Sequence, residues 1–134
     1  MDASVAVKWL VDEPGSDGAL ALRNRRLAAP ALLRIEVANT IRTLAARGAV
    51  EADEARNLFA LFQTAPVMIV DADAALEAEA LYLALDLGHP VYDCLYLALA
   101  DRLDCDMITA DRRFASALGG HPLGGRAALL DAAA

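Results

Sequence analysis

The sequence predicts an α/β fold, a three-layer α/β/α sandwich built on a short central parallel sheet. Two short apolar runs, at residues 66–70 and 106–109, lack polar alternation and therefore fit strands buried on both faces. Helical segments separate these runs, and parallel strands require such long crossover connections. The 134 residues, 57% of them hydrophobic, are enough for one domain spanning residues 1–134.

The first half of the chain is predicted to be mainly helical. In order, we expect a short strand end, helices over 5–11 and 17–27, a brief strand at 28–29, and helices over 30–47 and 51–63. Asp2 or Ser4 caps the first helix, and the Pro14-Gly15 turn closes it. The helix over 30–47 carries an apolar stripe at helical spacing, formed by Leu33, Val37, Ile41 and Leu44.

The second half alternates strands and helices. In order, we expect the strand at 66–70, a helix over 73–87, a helix over 91–103, the strand at 106–109, a short helix after Ala110, and an edge strand at 127–131. Gly88 ends the helix that precedes it. Parallel α/β sheets gather functional groups beyond the carboxyl ends of their strands, so acids that follow strands are the first candidates for a site.

Composition and charge bear on whether the protein is secreted, inserted in a membrane or able to bind nucleic acid. The chain opens without a basic and apolar leader, and its apolar segments are shorter than a membrane span, which predicts a soluble cytoplasmic protein. Cys94 and Cys105 are expected to be buried reduced thiols. The net charge is −7, yet the stretch 23–47 holds six arginines and one acid, so a basic surface for phosphates and an ordinary solvated face remain alternatives.

Asp93 is the one carboxylate at the start of a helix that is otherwise apolar almost all round. Pro90 fits the start of that helix, and Asp93 shares a face with Leu97 and Ala100. One interpretation is that Asp93 caps the helix and offsets its dipole. The other is that it binds a metal ion in a partly buried acidic cleft.

Four carboxylates stand out by position along the chain: Asp2, Glu36, Asp93 and Asp111. Taken one at a time, most of these acids could be explained as helix caps. Glu36, considered by itself, could be an ordinary residue at the border of the buried face of its helix. No nucleophile with a histidine partner and no glycine-rich phosphate loop accompanies them, and both histidines fall in loops. Carboxylates brought together repel one another unless a cation is bound, and oxygen ligands suit Mg²⁺ or Mn²⁺.

Four segments together resemble the motifs of the PIN domain, in the order and separations of the VapC-like toxin ribonucleases. They are DASVAVKWL at 2–10, IEVAN at 35–39, YDCLYLALA at 92–100 and ITADRRF at 108–114. The resemblance implies an α/β/α sandwich that cuts RNA with Mg²⁺ or Mn²⁺, forms a homodimer and is inhibited by a cognate antitoxin. One departure is that only Met1 precedes Asp2, so the first strand is almost absent, and either the real start lies upstream or the domain works with a truncated first strand.

By resemblance, Asp2, Glu36, Asp93 and Asp111 form the catalytic and metal-binding site. Ser4 and Thr109 match the hydroxyl positions that support it, although each also fits an ordinary turn. The arginines expected to hold the RNA backbone include Arg34, Arg42, Arg112 and Arg113. The alternative function is a catalytically impaired PIN-like module that binds RNA or a protein without cutting. A phosphoacceptor domain is poorly supported, because Lys8 is the only lysine.

Overall fold

The computed structural model describes residues 1–133, and it has the predicted α/β architecture. The helices are α1 (Ala3–Ala6), α2 (Ser16–Ala21), α3 (Leu32–Ala46), α4 (Ala52–Phe62), α5 (Ala74–Leu87), α6 (Val91–Arg102), α7 (Arg112–Ala117) and α8 (Leu130–Ala133). The strands are β1 (Leu27–Pro30), β2 (Val67–Val70), β3 (Met107–Thr109) and β4 (Ala127–Leu129). Short 3₁₀ turns extend α1 over Val7–Trp9 and α2 over Leu22–Asn24.

The strands form two parallel pairs rather than one continuous ladder. β1 pairs with β2, with Leu27 opposite Val67, and β3 pairs with β4, with Met107 opposite Ala127. Residues 1 and 2 join the pairs, because the Met1 amino group donates to Ala28 O at 3.2 Å and Asp2 N donates to Ile108 O at 3.1 Å. Residues 1 and 2 therefore link the two pairs without forming a ladder of their own.

Helix α6 is the most buried helix of the fold. Every residue from Tyr96 to Ala100 is buried, and the helix packs against β1, β3 and α5. Gly88, which ends the preceding helix α5, adopts a left-handed conformation with φ of 61°. The chain can therefore turn within a few residues into α6. This packing fixes the position of Asp93 in the first turn of α6.

Several predicted details of the elements are wrong. β2 is not buried on both faces, because it lies at a sheet edge and leaves Met68 58% exposed. The helix expected over 17–27 ends at Asn24, where the chain extends into β1. Cys105 is exposed in the loop before β3, whereas Cys94 is buried as expected, and both are free thiols. Within the described residues, no helix has the length and apolar character needed to cross a membrane.

Candidate active site

One cavity of about 460 Å³ is lined by all four acids singled out in the sequence. Asp2 lies just before α1, Glu36 lies in α3, and Asp93 lies in the first turn of α6. Asp111 reaches the cavity from the start of α7, directly after β3. The cavity therefore collects carboxylates from segments up to 109 residues apart in sequence.

Asp2 is buried, and two hydroxyl groups hold its carboxylate. Ser4 Oγ donates to one oxygen at 2.5 Å, and Thr109 Oγ1 donates to the other. Burial raises the pKa of Asp2, and the bonds from Ser4 and Thr109 oppose part of this effect. Ser4 and Thr109 are in turn fixed by the backbone N–H groups of Ala110 and Asp111. The Ser4 and Thr109 hydroxyls therefore do more than stabilise a local turn, because both bond to the Asp2 carboxylate.

Glu36 is half-buried rather than facing solvent. The Tyr96 hydroxyl on α6 donates to Glu36 Oε1 at 2.5 Å. Burial raises the pKa of Glu36, the Tyr96 bond lowers it, and the charges of Asp93 and Asp2 raise it further. The carboxylates are thus close enough to repel one another, which is the condition that a bound cation relieves.

Asp93 makes no capping bond to the backbone of α6, so the interpretation of this residue as a helix cap is wrong, although its carboxylate lies in the first turn, where a negative charge offsets the helix dipole. Its Oδ2 lies 2.9 Å from Nε2 of His89, and the His89 ring packs against Phe114 with ring centroids 4.7 Å apart. Sequence reasoning missed His89 as a neighbour of the site. The only available signal was the four-residue spacing between His89 and Asp93 across a helix start.

Asp111 combines a capping bond with a place at the cavity. Its Oδ1 accepts from Arg113 N at 2.9 Å and from Phe114 N at 3.2 Å, which satisfies two free N–H groups at the start of α7. The capping interpretation is therefore correct for Asp111. These two bonds also fix the orientation of the Asp111 carboxylate, directly after β3.

The donor set fits a hard divalent cation such as Mg²⁺ or Mn²⁺, because four carboxylates line one cavity and two of them have raised pKa values. Among residues 1–133, no three Asp, Glu, His or Cys side chains converge closely enough to hold one ion as they stand. Each acid is instead bonded to a protein donor. To bind an ion, these carboxylates would have to give up some of their present hydrogen bonds and coordinate the metal instead.

The predicted RNA-binding arginines divide into two groups. Arg112 and Arg113 follow Asp111 directly in sequence and are exposed, and Arg112 pairs with Asp131 at 2.6 Å. Arg34 and Arg42 are exposed on α3 but do not line the acidic cavity. Only the first group therefore adjoins one of the acids in sequence, and none of the four arginines lines the acidic cavity.

Lys8 is a cation of the acidic cavity that sequence reasoning did not place there. It lines the cavity one helical turn after Ser4, and its ammonium group bonds Glu13 Oε1 at 3.1 Å and Pro14 O at 2.6 Å. The four-residue spacing from Ser4 to Lys8 would have placed both on one face of the first helix.

Comparison with known proteins agrees with the motifs and the fold. The PIN domain family model matches residues 1–118. The chain is also 33% identical over 118 residues to Ribonuclease VapC3 of Pyrobaculum aerophilum, and the match covers 86% of this chain and 90% of that protein. The predicted resemblance to VapC-like proteins is thereby confirmed. The chain belongs to the PIN-domain family.

Proposed function

We propose that the protein is a metal-dependent endoribonuclease that hydrolyses RNA phosphodiester bonds and serves as the toxin of a toxin–antitoxin pair. The observation that carries this proposal is the single cavity lined by Asp2, Glu36, Asp93 and Asp111. The similarity to Ribonuclease VapC3 supports RNA as the substrate and a cognate antitoxin as the partner. We place this activity in the cytoplasm.

Asp2, Glu36, Asp93 and Asp111 would hold Mg²⁺ or Mn²⁺. A divalent ion supplies an acidified water as nucleophile and charge stabilisation for the phosphodiester oxygens. The chain's own task is to hold these carboxylates in place. Ser4 and Thr109 orient the buried carboxylate of Asp2, and Tyr96 orients Glu36 from the neighbouring helix.

The arginines supply the positive charge that an acidic protein needs in order to bind RNA. Arg112 and Arg113, which are exposed and follow Asp111 directly, would contact phosphates near the cleaved bond, and Arg34 and Arg42 would contact the strand further away on α3. The net charge of −7 therefore does not oppose RNA binding, because the cations that matter are local.

The direct test is cleavage of a panel of single-stranded and structured RNAs by the purified protein. We expect cutting with Mg²⁺ or Mn²⁺ and none in EDTA, because the proposed mechanism relies on a divalent ion to lower the pKa of the attacking water and to stabilise the charge on the phosphodiester oxygens. Cutting that persists in EDTA would contradict the metal mechanism. RNA binding without cutting under any metal condition would favour the impaired binding module instead.

We also propose that the protein forms a homodimer through α5. This helix exposes three large apolar side chains at helical spacing, Leu81, Tyr82 and Leu85, and Leu85 is 71% exposed. In sedimentation measurements, we expect a dimer that Leu85→Glu converts to a monomer. Leu61→Glu, on an exposed position of α4, is the matched control and should leave the dimer intact. A monomeric parent protein would contradict the proposal.

A further inference from the structure

A second cavity, of about 200 Å³, adjoins the acidic one. The two share Lys8 and Ala110 in their walls. The second cavity is also lined by Arg112 and by Asp131, and none of the four proposed catalytic acids lines it. The second cavity therefore lies next to the acidic one and has two cations and one anion in its wall.

Lys8 is held at the junction by its surroundings. Its side chain is only 13% exposed, and its stem packs against Gly15, where an added Cβ would lie 3.4 Å from both Cδ and Cε of Lys8. Gly15 has a φ of +92°, a conformation that favours glycine. The ammonium group has three N–H donors, and Glu13 and Pro14 are its two acceptors within the described residues.

Arg112 contributes the second cation, and its ion pair is exposed. The side chains of Arg112 and Asp131 are 71% and 68% exposed, and such pairs contribute little to stability in water. A guanidinium group can bind a phosphate through two parallel hydrogen bonds. A phosphate group that binds Arg112 can therefore displace Asp131 with little loss of folding free energy.

We propose that this second cavity, between Lys8 and Arg112, binds a phosphodiester group of the RNA strand next to the one in the acidic cavity. Asp131 competes with that phosphate for Arg112 and weakens binding of the strand. The proposal rests on the proposed function, which identifies the ligand as RNA. It assigns Lys8 and Asp131 to the substrate path, with opposite effects on affinity.

The test measures the affinity of the full protein for a labelled single-stranded RNA by fluorescence anisotropy in EDTA, so that binding is separate from cutting. We expect Lys8→Gln and Arg112→Gln each to weaken binding by about 3- to 10-fold, and each to reduce the slope of log affinity against log salt by about 0.7. Asp131→Asn should tighten binding by about 2- to 5-fold, since it removes the competing anion.

The matched controls are Arg56→Gln and Asp53→Asn, which break the exposed Arg56–Asp53 pair on α4. Both should bind RNA within about twofold of the parent. Thermal unfolding checks the fold of Lys8→Gln, while Arg112→Gln and Asp131→Asn alter only exposed side chains. Equal affinity of these two variants and the parent, or no RNA binding by the parent, would overturn the proposal.

Failure of this proposal is distinguishable from failure of the proposed function. If the parent cuts RNA with Mg²⁺ or Mn²⁺ but Arg112→Gln and Asp131→Asn bind RNA as the parent does, the second cavity is not a phosphate site and the nuclease remains. If the two variants change affinity in opposite directions but the parent cuts no RNA, the phosphate site stands and the catalytic proposal fails.

Discussion

Asp93→Asn is expected to reduce RNA cleavage by at least about 100-fold while leaving the fold intact. Asparagine keeps the size of the side chain but removes the charge that would hold a divalent ion. The position tolerates this change, because the Asp93 side chain is 32% exposed and makes no bond to the helix backbone. Initial cleavage rates at saturating Mn²⁺, together with thermal unfolding of both proteins, measure the two effects.

Asp53→Asn provides the control for Asp93→Asn. Asp53 also lies in the first turn of a helix, but its side chain is 94% exposed and it does not line the acidic cavity. Its substitution should leave cleavage unchanged. Equal cleavage by Asp93→Asn and the parent would remove Asp93 from the mechanism, whatever the effect of the control.

Asp2→Asn is expected to abolish cleavage and, in the absence of metal, to stabilise the fold. Burial raises the pKa of Asp2 in the folded protein, so the ionised carboxylate costs free energy when the chain folds. Asparagine carries no charge and still accepts a hydrogen bond from Ser4 or Thr109. We expect a gain on the order of 1 kcal/mol in the free energy of unfolding at pH 8.

The pH dependence identifies the cause of that gain. A carboxyl group whose pKa is higher in the folded than in the unfolded state binds more protons when folded, so the parent loses stability as pH rises through the raised pKa. The difference between Asp2→Asn and the parent should therefore shrink as pH falls. Urea unfolding in EDTA from about pH 4, near the ordinary pKa of an aspartate, to pH 8 measures this. A destabilised variant at pH 8, or a constant difference, would contradict the account.

The sequence was sufficient for the fold class because periodicity is local. The apolar stripe of α3 and the glycine that ends α5 are visible within a few residues, and both are present as expected. The exposure of Met68 was not visible, because the apolar run at 67–70 does not reveal whether its strand is central or lies at an edge. Burial of a strand depends on its neighbours, which come from distant parts of the chain.

The same distinction explains how much of the site was predictable. The four acids occupy strand ends and helix flanks that the sequence marks, and all four line one cavity. Their roles as ligands remain a prediction. The groups that hold them were harder to find, because Tyr96 bonds Glu36 across 60 residues and no local pattern records that contact. Lys8 lines the same cavity as Ser4, although the sequence does not show that the first helix turns both side chains toward the acids.

The link formed by residues 1 and 2 makes the acidic cavity a composite of both strand pairs. Glu36 lies on the helix that follows β1, Asp111 lies directly after β3, and Asp2 lies in the segment that bonds to both pairs. Helix α6, which carries Asp93, packs against β1 and β3 alike. The spacing of the four acids is therefore set by contacts between the two pairs, so we expect substitutions that loosen those contacts to alter the site as well as the stability of the fold.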